Sequence, residues 1–114
     1  MYKRSALPYT QAVKVDGFDW DSGNSFKNEA KHGISRETVE AFFGQRVWVA
    51  PDPKHPRTED RFLAIGRGPG ERPMIVAFTF RAARGLKLIR AISARFMHAR
   101  EIAKYDQAFA KDEE

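Results

Sequence analysis

Met74-Ile75-Val76-Ala77-Phe78-Thr79-Phe80-Arg81, a connection over Ala82 to Gly85, and then Leu86 to about Met97 decide how this chain folds. Both halves read as strands, and so short a connection between consecutive strands favours an antiparallel hairpin. Toward the N-terminus, Gly68-Pro69-Gly70 signals a turn, and Arg61 to Arg67 alternates, with Phe62 and Ala64 opposite Leu63 and Ile65. Val47-Trp48-Val49-Ala50 is a further β-favouring run, closed by Pro51. Between these two strands, Asp52 to Thr58 carries Pro53 and Pro56 and reads as a loop. Upstream, Ser35 is suited to cap a helix that runs to Phe42-Phe43 and stops at Gly44. Glu37 lies in its first turn, where the helix dipole favours a negative charge, and Ile34 and Val39 sit at the positions of a hydrophobic staple. Asn24 to His32 reads as a more polar helix ended by Gly33, and Phe18-Asp19-Trp20 as a short strand. Ile102, Tyr105 and Phe109 are spaced for an amphipathic helix over Ala99 to Ala110. The expected fold is α+β: an antiparallel sheet of about four strands with two N-terminal helices and one C-terminal helix. Residues 1–15 have no clear period and read as an extension to a single domain over 16–114.

Composition narrows the functional classes. The chain has 114 residues, 42% of them apolar, which allows one domain with one core, its volume dominated by nine Phe. No apolar run approaches the roughly 18–20 residues of a membrane span, and the first fifteen residues lack the apolar stretch of a secretory signal. The absence of Cys excludes a disulfide-built scaffold and a Cys-ligated zinc site. A cytoplasmic location is the expectation. The net charge of +5 is unevenly spread: Arg57 to Arg100 holds ten Lys/Arg against three acids, whereas Glu101 to Glu114 holds two against five. Nine of the twelve Arg fall in the basic stretch. Arginine suits forked contacts with phosphate, so nucleic acid is the first partner to consider, with a solvated basic surface as the alternative.

Several kinds of site lack support. Pro69 and the want of a following helix spoil Gly66 to Gly70 as a phosphate loop. His32, His55 and His98 have no ligand-like spacing, and no Ser-centred nucleophile elbow is present. The last two strands say more. With strict alternation, Thr79 and Arg81 share a face; Ser93 and Arg95 share one with Ile89 and Ala91, while Arg90 points the other way with Ile92. If the strands are neighbours, Arg61, Arg81 and Arg95 converge beside the proline-rich loop. The alternative is that each pairs with an acid or lies over the sheet. Phe18, Trp20 and Trp48 are either stacking platforms for bases or core residues.

An ordered set of residues resembles a known family. It runs Phe18-Asp19-Trp20-Asp21, Asn24, Lys27-Asn28, Lys31-His32-Gly33-Ile34-Ser35, Glu40, Phe42-Phe43, Asp52, His55 and Glu59-Asp60-Arg61-Phe62. It closes with Phe78-Thr79-Phe80-Arg81, Ile89-Arg90, Ile92-Ser93-Ala94-Arg95, Met97, Glu101 and Tyr105. This pattern resembles the BrnT toxins of type II toxin–antitoxin systems, which share a RelE-like fold and act as ribonucleases. Pro56 stands where a Ser commonly follows the loop His, and Ala91 where a branched apolar residue is usual.

The resemblance implies RNA cleavage without a metal or cofactor. The 2′-OH attacks the adjacent phosphate, a base takes its proton, an acid protonates the departing 5′ oxygen, and cations stabilise the charge on phosphorus. Arg61, Arg81 and Arg95 are then assigned to phosphate binding and transition-state stabilisation, and His55 or Glu59 to the base. Lys31 and His32 are the alternative pair, although His32 beside Gly33 also suits a helix C-terminus. Glu59 alternatively holds Arg61 in place. Lys31, His32, Arg67, Arg90 and Ser93 are candidate RNA contacts, Ser93 positioning a phosphate or a neighbour. The implied partners are RNA and a BrnA-like antitoxin, with operator DNA reached only through that antitoxin. A non-catalytic module acting with its antitoxin on operator DNA is the competing reading.

Overall fold

The computed structural model describes residues 10–20, 33–52 and 61–104. Six strands form one sheet: β1 (Gln11–Ala12), β2 (Gly17–Phe18), β3 (Arg46–Pro51), β4 (Phe62–Arg67), β5 (Pro73–Ala83) and β6 (Leu86–Phe96). They lie in the order β1-β3-β4-β5-β6-β2. Neighbours run antiparallel except β2 and β6, which are parallel. Helix α1 spans Arg36–Phe43, a short 3₁₀ turn spans Pro69–Glu71, and helix α2 occupies 99–104.

This corrects the expected architecture. The sheet has six strands rather than about four and is mixed rather than antiparallel throughout. Among the described residues, α1 and α2 are the only α-helices, in place of two N-terminal helices and one C-terminal helix. The expected helix from Asn24 to His32 lies outside the described residues. Each outer strand is two residues long: β1 carries no periodic signal, whereas β2 overlaps at Phe18 the short strand expected over Phe18-Asp19-Trp20, and pairing with distant partners completes both. Gln11 sits opposite Val47, and Gly17 opposite Leu88. Asp16 fastens the second of these, its backbone N–H donating to the Lys87 carbonyl (2.8 Å) and its carboxylate accepting from the Lys87 N–H (2.7 Å).

The central hairpin forms as its sequence predicts. Arg84 and Gly85 make the turn with positive φ at both, +54° and +79°, the pattern of the two-residue turns whose twist matches that of the strands. Helix α1 starts where expected, with Ser35 Oγ accepting from the Thr38 N–H at 3.1 Å, and the Gly44 N–H closes it onto the Ala41 and Glu40 carbonyls. It lays Val39, Phe42 and Phe43 on one sheet face, against Val47, Ala64, Met74, Val76, Phe78, Ile89 and Ala94. Phe43 meets Phe78 edge-on at 5.1 Å between centroids. Gly66 allows this close approach: a Cβ there would lie 2.9 Å from Val47 and 3.1 Å from Phe42. On the opposite face, Trp48, Ile65 and Met97 form a smaller cluster with Ile75, Ala50 and Ile102 of α2.

One irregularity controls what the opposite face displays. Ala77 pairs with Ser93 but Phe78 pairs with Ala91, so Ile92 is an extra residue in β6. Such a bulge shifts the alternation by one. Ile89 and Ala91 face α1 before it, and Ala94 and Phe96 face α1 after it. Ser93 and Arg95 therefore share their face with Arg90, not with Ile89 and Ala91 as strict alternation predicts.

Candidate nucleic-acid interface

The register fixes which side chains meet on the face away from α1. Phe62 opposes Phe78, which sets Arg61 of the chain entering β4 beside Thr79, and Thr79 in turn pairs with Arg90. Arg61, just ahead of β4, thus continues the row of Thr79 and Arg90. Ala77 and Ser93 make the next row, followed by Ile75 and Arg95; on the other side, Arg81 pairs with Leu88. Thr79 is buried at the centre, Ser93 and Arg81 are exposed, and Arg61, Arg90 and Arg95 are half-buried. Three candidates from sequence, Arg61, Arg81 and Arg95, therefore share a face with Arg90 and Ser93. Arg67 does not join them: it ends β4 roughly 20 Å along the strand from Arg61. There it donates to the Glu71 carbonyl at 3.3 Å. Lys31, His32, His55 and Glu59 lie outside the described residues.

Two acids that sequence reasoning did not assign to the site organise this face. Glu101 binds Arg95 through both oxygens, at 2.8 and 2.7 Å, a forked geometry that fixes the guanidinium plane. The same carboxylate accepts the backbone N–H of His98 at 2.9 Å. This is half of a capping box, since Glu101 lies three residues after the helix-capping position, and that spacing is the signal by which sequence could have found it. Asp19, just past β2, stands 3.9 Å from Arg81, held by the Asp19 N–H bond to the Ile89 carbonyl. Of the aromatic residues, Trp48 is core, and Phe18 and Trp20 are half-buried against the α1-side core. Trp48 is 5% exposed, Phe18 stacks on Trp20 at 5.8 Å, and Trp20 donates to Glu40 while Arg36 covers its ring.

The Arg95 bond lowers the Glu101 carboxyl from its usual 4.5 to about 2, and the Arg95 guanidinium is correspondingly raised. A folded-state pKa below the unfolded value favours folding above the unfolded value, and that contribution fades as pH falls toward 2. The melting temperature should accordingly drop between about pH 4.5 and 2, and Glu101→Gln should remove part of that drop while leaving the neutral-pH fold in place. Equal acid sensitivity in both proteins would show that this ion pair does not contribute.

A helix-backed sheet whose other face carries arginines in three of four successive rows, with an acid beside two of them, defines a small mixed-sheet domain suited to a phosphate-bearing polymer. Comparison with protein families matches residues 20–101 to the family described as the ribonuclease toxin, BrnT, of type II toxin–antitoxin systems, and the chain belongs to that family. It is thus a ribonuclease toxin whose substrate class is RNA and whose partner is an antitoxin. No curated protein matches the chain. Among the described residues, no helix is long and apolar enough to cross a membrane, and no three His, Asp or Glu side chains come together as a metal ion would require.

Proposed function

We propose that the protein is a metal-independent endoribonuclease of the cytoplasm that lowers translation by cutting RNA. The observation that supports this reading is the common face of Arg61, Arg81, Arg90 and Arg95. Arginine does not give up its proton, so these residues bind the backbone and stabilise the charge that gathers on the phosphoryl oxygens. Arg95, held by Glu101, presents its remaining donors in a fixed plane, and Ser93 beside it positions a phosphate oxygen. The 2′-OH attacks phosphorus and the bond to the 5′ oxygen breaks, leaving a 2′,3′-cyclic phosphate and a 5′-OH. His55 or Glu59, on the segment leading into Arg61, accepts the 2′-OH proton, and a protonated group returns one to the 5′ oxygen. Lys31 and His32 are the alternative pair for this transfer. The basic face also suits an acidic segment of a BrnA-like antitoxin, which silences the toxin and carries the complex to operator DNA.

The test is RNA cleavage by the purified chain in excess EDTA, with product ends analysed. Cleavage that persists and leaves 2′,3′-cyclic phosphate is the expected result. Activity that appears only after a divalent cation is restored would contradict it.

A further inference from the structure

We infer that Arg61 and Arg90 form the primary phosphate seat of this face, on either side of Thr79, while Arg81 and Arg95 border it under the control of acids. The inference rests on the ribonuclease reading above and divides labour among the arginines differently from the sequence reading, which groups Arg61 with Arg81 and Arg95 and sets Arg90 apart.

Four observations carry it. First, Thr79 pairs with Arg90, and Arg61, one residue before the Phe62–Phe78 pair that opens the β4–β5 register, continues that row on the other side. Strand spacing sets the two arginines about 9–10 Å apart at the backbone, a gap that one phosphate between two guanidinium forks can fill. Second, the described acids treat the four arginines differently. Arg95 is neutralised by Glu101 and Arg81 is close to Asp19, whereas neither Arg61 nor Arg90 forms an ion pair with a described acid. Asp52, next along the row, bonds Arg61 through the backbone, its N–H donating to the Arg61 carbonyl at 2.9 Å.

Third, Arg61 Nε is buried without a hydrogen-bond partner among the described residues. A guanidinium that is desolvated without full satisfaction favours an anion more strongly than one immersed in water. Fourth, both arginines are half-buried beside a residue only 4% exposed, so an anion there sits against the sheet rather than in bulk solvent. The ligand class is the phosphodiester of single-stranded RNA. The two paired arginines suit a different task, since an acid already offsets part of the charge that each can offer a phosphate.

The experiment separates binding from cleavage by using a fluorescent 2′-O-methyl oligoribonucleotide, which lacks the attacking hydroxyl. Anisotropy titrations at several salt concentrations compare the wild type with Arg61→Gln, Arg90→Gln and Arg81→Gln. Arg61→Gln and Arg90→Gln should each weaken binding about tenfold or more. Each should also reduce the salt slope by about 0.7, as expected when one phosphate contact to a single strand is lost. Arg81→Gln should cost clearly less. Arg61→Lys and Arg90→Lys keep the charge and guard against misfolding; they should restore the slope while leaving affinity reduced, because the fork is lost. Binding by the Gln variants within about twofold of wild type overturns the seat and leaves the ribonuclease reading standing. An equal loss from Arg81→Gln overturns the division of labour. Failure of the wild type to bind the oligonucleotide at all overturns both.

Discussion

Ala94→Glu is expected to unfold the protein or come close to it, while Ser93→Glu, one residue earlier, is expected to leave it folded. Ala94 is 1% exposed and packs in the core beneath α1, whereas Ser93 is exposed on the far face. Placing an unpaired carboxylate in that core costs at least about 3–5 kcal/mol, a large share of the 5–15 kcal/mol that holds a typical domain together. At Ser93 the new carboxylate faces Arg90 and Arg95, so stability should change by less than about 1 kcal/mol while RNA binding falls, because the acid occupies the arginines. Chemical denaturation of the two variants checks the prediction. Strict alternation through β6 would reverse the outcome, with Ala94 tolerant and Ser93 intolerant, so the experiment reads the Ile92 bulge directly.

Phe78→Ala should be the most damaging conservative change in the core. Phe78 has no exposed surface and touches Phe43 at 5.1 Å, Phe62 at 5.6 Å and Phe80 at 5.4 Å between ring centroids. Truncation removes the ring that joins α1 to β4 and β5, and such a cavity costs about 3–5 kcal/mol. For a domain near 100 residues, each 1 kcal/mol lowers the melting temperature by about 4–8 °C, so a fall of more than ten degrees is expected. Phe78 also lies between Ala77 and Thr79, whose side chains belong to the arginine face. Its loss therefore loosens the backbone that sets the spacing of Arg61 and Arg90. A melting temperature within a few degrees of wild type would mean that the core is organised differently.

Much of this was legible in the sequence where local chemistry decides. The β5–β6 hairpin followed from its two apolar runs and the short connection between them. Helix α1 followed from Ser35, Glu37 and Gly44, and the family from an ordered set of motifs. What was not legible depends on partners distant in the chain. Gln11-Ala12 is a strand because β3 accepts it, and no two-residue segment announces that; the alternation at Phe18-Asp19-Trp20 signals a short strand but not its parallel place beside β6. The bulge was hidden for another reason: Ala91-Ile92-Ser93-Ala94 contains no glycine to mark the extra residue, and both registers leave an apolar residue on each face. Only the packing of Ala94 beneath α1 breaks the tie. Arg90 was accordingly separated from Arg95 when the two in fact share a face. The acids were also missed. Glu101 is informative through its spacing from His98, but nothing local ties Asp19 to Arg81, which are brought together by the parallel pairing of β2.

Cutting of RNA by the arginine face is read from the single-turnover cleavage rate of the wild type against the double variant Arg61→Gln/Arg90→Gln. Both proteins would be assayed in excess EDTA, with melting curves recorded alongside. A loss of at least about 100-fold is expected, as when charge-stabilising donors are removed from a phosphoryl site, at a nearly unchanged melting temperature. Cleavage by the double variant at the wild-type rate would place the chemistry elsewhere on the molecule.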